Sequence, residues 1–230
     1  MPPTPETAPS APPSPSPAPA PASSPARPQA GRPRSETRRA QILAAAADCF
    51  RRDGFHGASI AQISRAAGMS PGHIYHYFEN KEAIIAAIVE QDLARVQTLT
   101  AELRSARDVE GAMLGRVAEE VVRHLDPQVA ALRLEIVAEA ARNPSVAASV
   151  RSADARSLAG LTEMIHGVRR SAGHAEGDGM AAALAEAIAA LFEGLQIRAV
   201  RNPALDPQAL VRVYRRVIQD LLNQPSDLSP

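Results

Sequence analysis

A group of hydrogen-bonding side chains between Ser59 and Lys81 is the part of the sequence best suited to chemistry. The donors and acceptors in its second half are Ser70, His73, Tyr75, His76 and Lys81. Histidine, tyrosine and serine side chains bond to base edges and phosphate oxygens, and a lysine neutralises phosphate charge. Ile74 and Phe78 are four residues apart, so they would anchor one side of a helix and leave the donors on the other. The pattern predicts a surface that reads a nucleic acid.

The elements that must position these side chains are two short helices around a tight turn. Ser59 and Gln62 have the spacing of a capping box, which starts the first helix. Gly68 can adopt the left-handed conformation that ends it, and Ser70 followed by Pro71 provides the cap and first turn of the second helix. This layout is typical of a helix-turn-helix, whose second helix enters the major groove. An ordinary helical hairpin with surface tyrosines is the alternative.

The flanking segments extend the pattern. Residues 38–55, RRAQILAAAADCFRRDGF, predict a helix ahead of the hairpin that ends at Gly54, and GASIAQISRAAGMSPGHIYHYFENKEAI continues to residue 84. Together these segments closely resemble the N-terminal domain of the TetR family of bacterial transcriptional regulators, over about residues 35–90. Pro71 and His73 stand where family members often carry Lys and Thr. The resemblance therefore predicts the fold and leaves the DNA sequence open.

The resemblance implies an all-α protein with a three-helix DNA-binding head at residues 35–80. A helical domain at residues 81–223 would bind a small-molecule effector and form a homodimer, and residues 224–230 would be a C-terminal tail. Double-stranded operator DNA is the expected partner. The expected DNA-binding residues are Arg32, Arg34, Ser59, Ser70, Pro71, Gly72, His73, Tyr75, His76 and Lys81.

The first 30 residues are nearly all Pro, Ala, Ser and Thr, so we expect residues 1–34 to be a disordered tail that ends in a basic arm. A docking tail for partners that recognise proline is an alternative to a solvated extension. Arg27 to Arg39 contains five arginines, and Arg32 and Arg34 could reach an adjacent minor groove. Unspecific phosphate contacts are an equally good interpretation of this arm.

Charge and cysteine content point to a cytoplasmic protein. The formal net charge is zero, but residues 26–90 carry nine Arg or Lys against six Asp or Glu, so the basic excess lies with the hairpin. Cys49 is the only cysteine and lies on an apolar helical stripe, which predicts a core residue. No run of 18 apolar residues occurs, so no membrane association is expected.

The second domain is predicted to contain six helices. Caps and apolar stripes place them at Lys81 to about Arg104, after Asp108 to Leu125, Gln128 to Arg142, Pro144 to about Arg170, Met180 to Val200 and Pro207 to Asn223, with a loop at Ser171 to Gly179. The resemblance implies that the last two helices form a four-helix seam with a second copy. Leu191, Leu195, Val217 and Leu221 are expected near its centre. Burial within one subunit would explain the same stripes.

Polar residues on the apolar helices indicate a ligand pocket. His124, Arg133 and His166 are the candidate ligand-binding residues, in a cavity framed by the helices that begin at Asp108, Gln128 and Pro144. Burying an unpaired arginine is costly, so Arg133 should face an acidic partner or a cavity. Ion pairing is the alternative for each residue. Glu135, Glu139 and Arg142 have the spacing of an ordinary helix-surface network.

No catalytic group, metal-ligand cluster or cofactor-binding motif can be placed in the sequence, which disfavours an enzyme. The function predicted is a repressor that a small molecule releases from a palindromic operator. A constitutive DNA-binding dimer without an effector is one alternative, and it would have a dry, packed second domain. A helical ligand-binding protein that has lost its operator is the other.

Overall fold

The computed structural model describes residues 31–174 and 179–225, with side chains from Arg34 onward. Within these ranges the chain forms nine helices and no strand, which confirms the all-α prediction. The helices are α1 Gly31–Gly57, α2 Ile60–Ala66, α3 Pro71–Tyr77, α4 Lys81–Arg104, α5 Val109–Leu125, α6 Pro127–Ala140, α7 Pro144–Ser171, α8 Met180–Arg201 and α9 Pro207–Leu222. We call α1–α3 the head and α4–α9 the body. The predicted tails at residues 1–30 and 226–230 lie outside the described residues.

Helix α1 begins earlier than the sequence predicted. The arm was expected to be flexible up to Arg39, but the chain is helical from Gly31. Pro33 is tolerated there because a helix leaves the N–H groups of its first turn without intrahelical partners. Arg34 is therefore an exposed side chain on a helix. Arg32 lies in the first turn of the same helix, outside the range of described side chains.

Most helices start at the caps that the sequence predicted. The side chains of Asn80, Asp108, Asp126, Asn143 and Asp206 each accept a backbone N–H at the first turn of the following helix. Each cap satisfies donors that a helix N-terminus leaves unpaired. The body helices consequently begin within one residue of the predicted positions.

Two apolar cores hold the chain together. The head core contains Ile42, Phe50, Ile63 and Ile74, and it continues without a break through Ile84 and Ile85 of α4 to Ile136 and Val146 of the body. The body core is built by α4, α5, α7, α8 and α9 around Val121, Ile165, Leu184 and Leu195. Cys49 is fully buried in the head core, as predicted. Because the head core includes residues of α4, α6 and α7, the head and the body share apolar contacts.

Two helices of the body form hydrogen bonds with the end of α1 at the backbone of Phe55. Helix α1 is broken at Gly54, whose φ of 72° favours glycine. Glu135 of α6 accepts the Phe55 N–H at 2.7 Å. Lys81 of α4 donates to the Phe55 carbonyl at 2.7 Å and to the Ala58 carbonyl at 2.8 Å. Two body helices thus bind the N–H and the C=O of one residue.

A second carboxylate of α6 strengthens this contact. Glu139 is only 1% exposed, and it lies 3.0 Å from His56 Nε2. Arg142 and Asn143 also donate to it, at 2.9 and 3.1 Å. Of the helix-surface network predicted from Glu135, Glu139 and Arg142, the pair of Glu139 and Arg142 is present, but Glu139 is buried and Glu135 binds Phe55. The two glutamates bind the C-terminal end of α1.

Helix α8 has apolar residues around much of its circumference. Among the described helices, it alone is long and apolar enough to span a membrane by length and composition. A core helix of a water-soluble protein meets the same criterion, so this is weak evidence for a span. Leu184, Ala185, Ile188 and Leu195 of α8 are buried in the body core.

We expect Glu135→Ala to lower the free energy of unfolding by roughly 2 kcal/mol, because the Phe55 N–H would lose a charge-assisted hydrogen bond in a half-buried setting. Urea unfolding measures this change. The control is Glu163→Ala, which removes an exposed ion pair with Arg104 and should cost less than about 1 kcal/mol. Equal losses in the two variants would show that the Glu135 contact contributes nothing specific.

Candidate nucleic-acid interface and ligand cavity

The turn between α2 and α3 is built as the sequence predicted. Ser59 accepts the backbone N–H of Gln62, and the Gln62 side chain accepts the Ser59 N–H, which completes the capping box. Gly68 has a φ of 64° at the end of α2. Ser70 caps α3 by accepting the His73 N–H at 3.3 Å, and Pro71 follows in the first turn. These caps fix how α3 projects from the head.

One side of α3 is anchored and the other is free to contact a partner. Ile74 is fully buried and Phe78, just beyond the helix, is 5% exposed. The exposed side carries the predicted positions Pro71, Gly72, His73, Tyr75 and His76. The side chain of Tyr75 is 56% exposed, a high value for a large aromatic residue. No atom lies within 4 Å of the position that a Cβ of Gly72 would occupy, so a partner could approach the backbone closely there.

The rings on this helix are arranged by local contacts. His73 and His76 each lie against Tyr77, with ring centroids 5.4 and 5.2 Å apart. Tyr77 itself is half-buried and packs against the head core. The two histidines are consequently held at the surface by a fixed ring, and their nitrogen atoms can donate to or accept from base edges.

Lys81 does not have the position expected of a phosphate contact. Two of its three N–H donors are used by the carbonyls of Phe55 and Ala58, and its ammonium lies 4.5 Å from the centre of the Phe55 ring. A point charge held in this way stabilises the end of α1. The structure therefore gives Lys81 an internal role instead of the predicted contact with the DNA backbone.

Three exposed arginines near α3 were not among the predicted contacts. Arg38 and Arg39 lie on α1, and Arg65 lies in the last turn of α2. The guanidinium of Arg39 is 5.3 Å from the centre of the Phe78 ring, which brings it close to the end of α3. Arg65 is on the helix that precedes the turn. The sequence signal for these residues was the basic excess of the head, and Arg38 and Arg39 also belong to the basic segment from Arg27 to Arg39.

The body contains a cavity of ≈ 990 Å³. Helices α5, α6 and α7 border it, as predicted, and α4 and α8 contribute as well. Its apolar wall includes Leu99, Leu103, Met113, Val117, Leu161 and Ile188. The volume is at the upper end of the range for sites that bind small molecules. A body that only dimerised would not need such a space.

Two of the three predicted ligand-binding residues, His124 and Arg133, line the cavity and are joined by a hydrogen bond. Arg133 donates to His124 Nε2 at 2.9 Å and to Asp92 at 2.6 Å. Because arginine has no acceptor, His124 Nε2 must be unprotonated, and His124 Nδ1 then carries the proton that it donates to the Glu120 carbonyl at 2.8 Å. Arg133 is thus paired with a carboxylate, so its charge requires no ligand. Asp92 was missed because two of its three arginine partners, Arg123 and Arg133, are distant in the sequence.

The third predicted ligand-binding residue is elsewhere. His166 lies on α7, but it is not among the residues that line the cavity. Neighbouring positions on α7 face the body core, including Ile165, which is fully buried. The helical repeat therefore turns His166 away from the cavity, and the structure does not support it as a ligand contact.

Burial and charge fix the protonation of this cluster. Burial, together with the positive charge of the nearby Arg133, lowers the pKa of His124 to about 4. Burial raises the pKa of Asp92, but Arg133, Arg123 and Arg95 together outweigh this effect and leave the pKa below its usual value. Burial also lowers the pKa of Arg123. At neutral pH, His124 is neutral and Asp92 is an anion among three arginines.

We expect His124 to make the stability of the protein depend on pH. Its pKa is about 4 in the folded chain and 6.5 in the unfolded chain, so the unfolded state binds the proton more tightly. The free energy of unfolding should have its full value above pH 6.5 and fall by up to roughly 3 kcal/mol as the pH drops to 4. His124→Gln should flatten this part of the curve in urea unfolding. An unchanged slope in that variant would contradict the assignment.

Comparison with known proteins agrees with this geometry. Residues 42–88 match the family model of bacterial regulatory proteins of the tetR family, and residues 110–223 match that of the C-terminal domain of BetI-type transcriptional repressors. The regulator UidR of Escherichia coli is 38% identical over 117 residues, which are 50% of this chain and 57% of UidR. The repressor AcnR of Corynebacterium diphtheriae is 37% identical over 65 residues, 28% of this chain and 34% of AcnR. The matched segments thus span about half or less of these relatives.

Solved structures share the fold over most of the chain. GusR of Salmonella enterica superposes with a TM-score of 0.67 at 28% identity, over 82% of this chain and 96% of GusR. FadR of Bacillus subtilis, solved in complex with stearoyl-CoA, has a TM-score of 0.66 at 18% identity, over 80% of this chain and 97% of FadR, and this likeness shows the fold alone. The helix-turn-helix head, the helical body and the two family matches together show that this chain belongs to the TetR family of bacterial DNA-binding transcriptional regulators.

Proposed function

We propose that this regulator is a homodimeric repressor that a small molecule releases from its operator. The observation that carries the proposal is the cavity of ≈ 990 Å³, which borders the same helix, α6, that binds the end of α1. Two alternatives are weaker. A constitutive DNA-binding dimer would be expected to have a packed body, and a protein without an operator would have no reason to keep the exposed donors of α3.

The exposed side of α3 supports sequence reading. His73, Tyr75 and His76 are the side chains that can reach base edges, and the N-terminus of α3 with Ser70 can bind a phosphate. Arg34, Arg38, Arg39 and Arg65 add positive charge around this helix. In a dimer, the two copies of α3 would enter successive major grooves about 34 Å apart. A palindromic site follows from the two-fold symmetry.

Release requires that the ligand prefer an arrangement of the heads that does not fit this spacing. A preference of roughly 3 kcal/mol would weaken the operator complex more than a hundredfold, which is within the usual range of coupling between sites. Helix α6 provides the connection. Val129 and Arg133 line the cavity, and Glu135 and Glu139 bind the end of α1.

The proposed dimer surface lies on α8 and α9. Ile197, Val200 and Val213 are large apolar side chains with exposed fractions of 45%, 60% and 55%. Leu195 was predicted near the centre of the seam, but it is 2% exposed and packs in the core of its own subunit. Leu191, Val217 and Leu221 are half-buried, so they contribute to the packing within the subunit as well.

The DNA-reading proposal is tested by selecting genomic fragments that bind the protein, which should yield a palindrome. His73→Ala should then reduce the ratio of affinities for this site and for random DNA by roughly tenfold, because a base contact is worth about 1–3 kcal/mol. Arg65→Ala should weaken binding to both DNAs alike and reduce the slope of log K against log salt by about one unit. Absence of any enriched fragment, or unchanged binding in both variants, would refute the role of α3.

The dimer proposal predicts that Val200→Glu and Val213→Glu raise the dimer dissociation constant at least about a hundredfold, because each would bury an unpaired carboxylate in an apolar contact. Sedimentation velocity measures the change. Val122→Glu is the matched control, since Val122 is 58% exposed on α5, outside the proposed seam. A wild-type protein that is monomeric at micromolar concentration, or dissociation caused by the control alone, would contradict this surface.

A further inference from the structure

Most of the positive charge that lines the cavity is paired with carboxylates of the protein. Each of its five arginines makes an ion pair with a carboxylate among the described residues: Arg51 with Asp48, Arg95 with Asp92 and Glu120, Arg116 with Glu102 and Glu119, and Arg123 and Arg133 with Asp92. A guanidinium that is engaged in this way has lost much of its capacity to bind a ligand anion. Asp92 is shared by three of these arginines, so their charge is not fully cancelled, and Nη1 of Arg123 is enclosed without a hydrogen-bond partner among the described residues. The pairing, rather than an absence of positive charge, limits what the arginines offer a ligand anion.

The carboxylates that line the cavity are not all neutralised. Asp92 and Glu120 pair with arginines, and Asp126 caps α6. Asp154 on α7 and Glu193 on α8 form no ion pair or hydrogen bond with any described residue. Both residues line the cavity and are exposed. The carboxylates of Asp154 and Glu193 are thus available to a ligand, and no described side chain forms an ion pair with them.

Gln196 adds a second, independent sign of a missing ligand. It lines the cavity one helical turn after Glu193 and is 6% exposed, yet no described residue forms a hydrogen bond with its side chain. Among the described residues, the only fully enclosed side-chain polar atom without a partner is Nη1 of Arg123. The amide of Gln196 is therefore not sealed in the core, and its remaining surface opens into the cavity. Buried amides normally have hydrogen-bond partners.

Apolar surface lies next to this polar group. Phe192 precedes Glu193 on α8 and lines the cavity, with its ring packed between His124 and Tyr214 at centroid distances of 5.2 and 5.4 Å. Beyond it the wall is formed by Leu99, Met113, Leu161 and Ile188. A ligand that satisfies both surfaces must combine a polar end with an apolar body.

We propose that the cavity binds an organic cation with an apolar body, with its charged nitrogen near Asp154 and Glu193 and an N–H group donating to the amide oxygen of Gln196. This inference rests on the proposed function, because it specifies the class of compound that would act as effector. The cation would supply the hydrogen-bond donors and the positive charge that this end of the cavity lacks.

The ionisation of Glu193 is consistent with this arrangement. Burial raises the pKa of Glu193, and the neighbouring Asp154 and Glu186 raise it further, whereas Arg133 acts in the opposite direction. A carboxylate that is made harder to ionise by a neighbouring carboxylate gains from a cation placed between the two. Arg133 cannot fill this role fully because it is paired with Asp92.

The test compares three probes that share an eight-carbon chain and differ at the polar end: octylammonium, octanoate and octyl glucoside. Calorimetric titration into the full chain without DNA, at neutral pH, should show octylammonium binding at least about tenfold more tightly than either of the others. Asp154→Asn with Glu193→Gln should remove this preference without changing the fold, because both side chains are exposed and the substitutions keep their shapes. Glu163→Gln, an exposed carboxylate on the same helix α7 but outside the cavity, should leave it intact.

Three results would overturn the inference. Tighter binding of octanoate would show that the arginines remain available, and tighter binding of octyl glucoside would show that the polar end reads hydroxyl groups. Absence of binding by all three probes would show that the cavity does not take an amphipathic ligand of this size.

The operator complex is assayed separately, so the two proposals can fail independently. If octylammonium binds the free protein with the expected preference but leaves DNA affinity unchanged, the cation site stands and the proposed release mechanism is wrong. If the protein binds no operator at all, the calorimetric comparison still decides whether the cavity selects a cation.

Discussion

The arrangement of the head depends on how the backbone of Phe55 is held. Its N–H donates to Glu135 of α6 and its carbonyl accepts from Lys81 of α4, so two helices of the body fix one residue from both sides. Phe55 directly follows the break at Gly54, where the chain leaves α1 and turns toward α2. The directions of α2 and α3 follow from this point because the connections are short. A displacement of α6 or α4 would therefore shift the backbone at Phe55, where the chain turns toward α2 and α3.

The polar cluster beside the cavity is built around one half-buried anion. Asp92 accepts hydrogen bonds from Arg95, Arg123 and Arg133, and Arg133 in turn donates to a neutral His124. Removing Asp92 would leave the guanidinium groups of Arg123 and Arg133 partly buried without a carboxylate partner, a large cost in free energy. The same pairing explains why the arginines lining the cavity do not by themselves define an anion site. Apart from Nη1 of Arg123 on α5, the unmet hydrogen-bonding capacity at the cavity lies on α7 and α8.

Local features of the sequence predicted the helices and their caps well. Most contacts between residues distant in the sequence could not be predicted from it. The capping box of Ser59 and Gln62 and the caps at Asn80 and Asp108 depend on residues two or three apart, so their spacing was sufficient. Glu135 and Phe55 are 80 residues apart, and nothing in their spacing indicates contact. Leu195 was misplaced for a related reason. Helix α8 is apolar around much of its circumference, so its pattern cannot show which side faces its own core and which faces a second copy.

Helix α6 is the element whose contacts could convert ligand binding into a change at the DNA. Val129 and Arg133 face the cavity, whereas Glu135 and Glu139 lie on another side of the helix and bind Phe55 and His56. Ile136 belongs to the head core and also lines the cavity, so the two sides are joined by packing. Hydrogen bonds to a carboxylate are directional and weaken steeply with distance, so a displacement of α6 either breaks them or moves the end of α1. Each such bond is worth roughly 1.5–3 kcal/mol. One or two of them would therefore suffice to carry the coupling free energy that the proposed release from an operator would require.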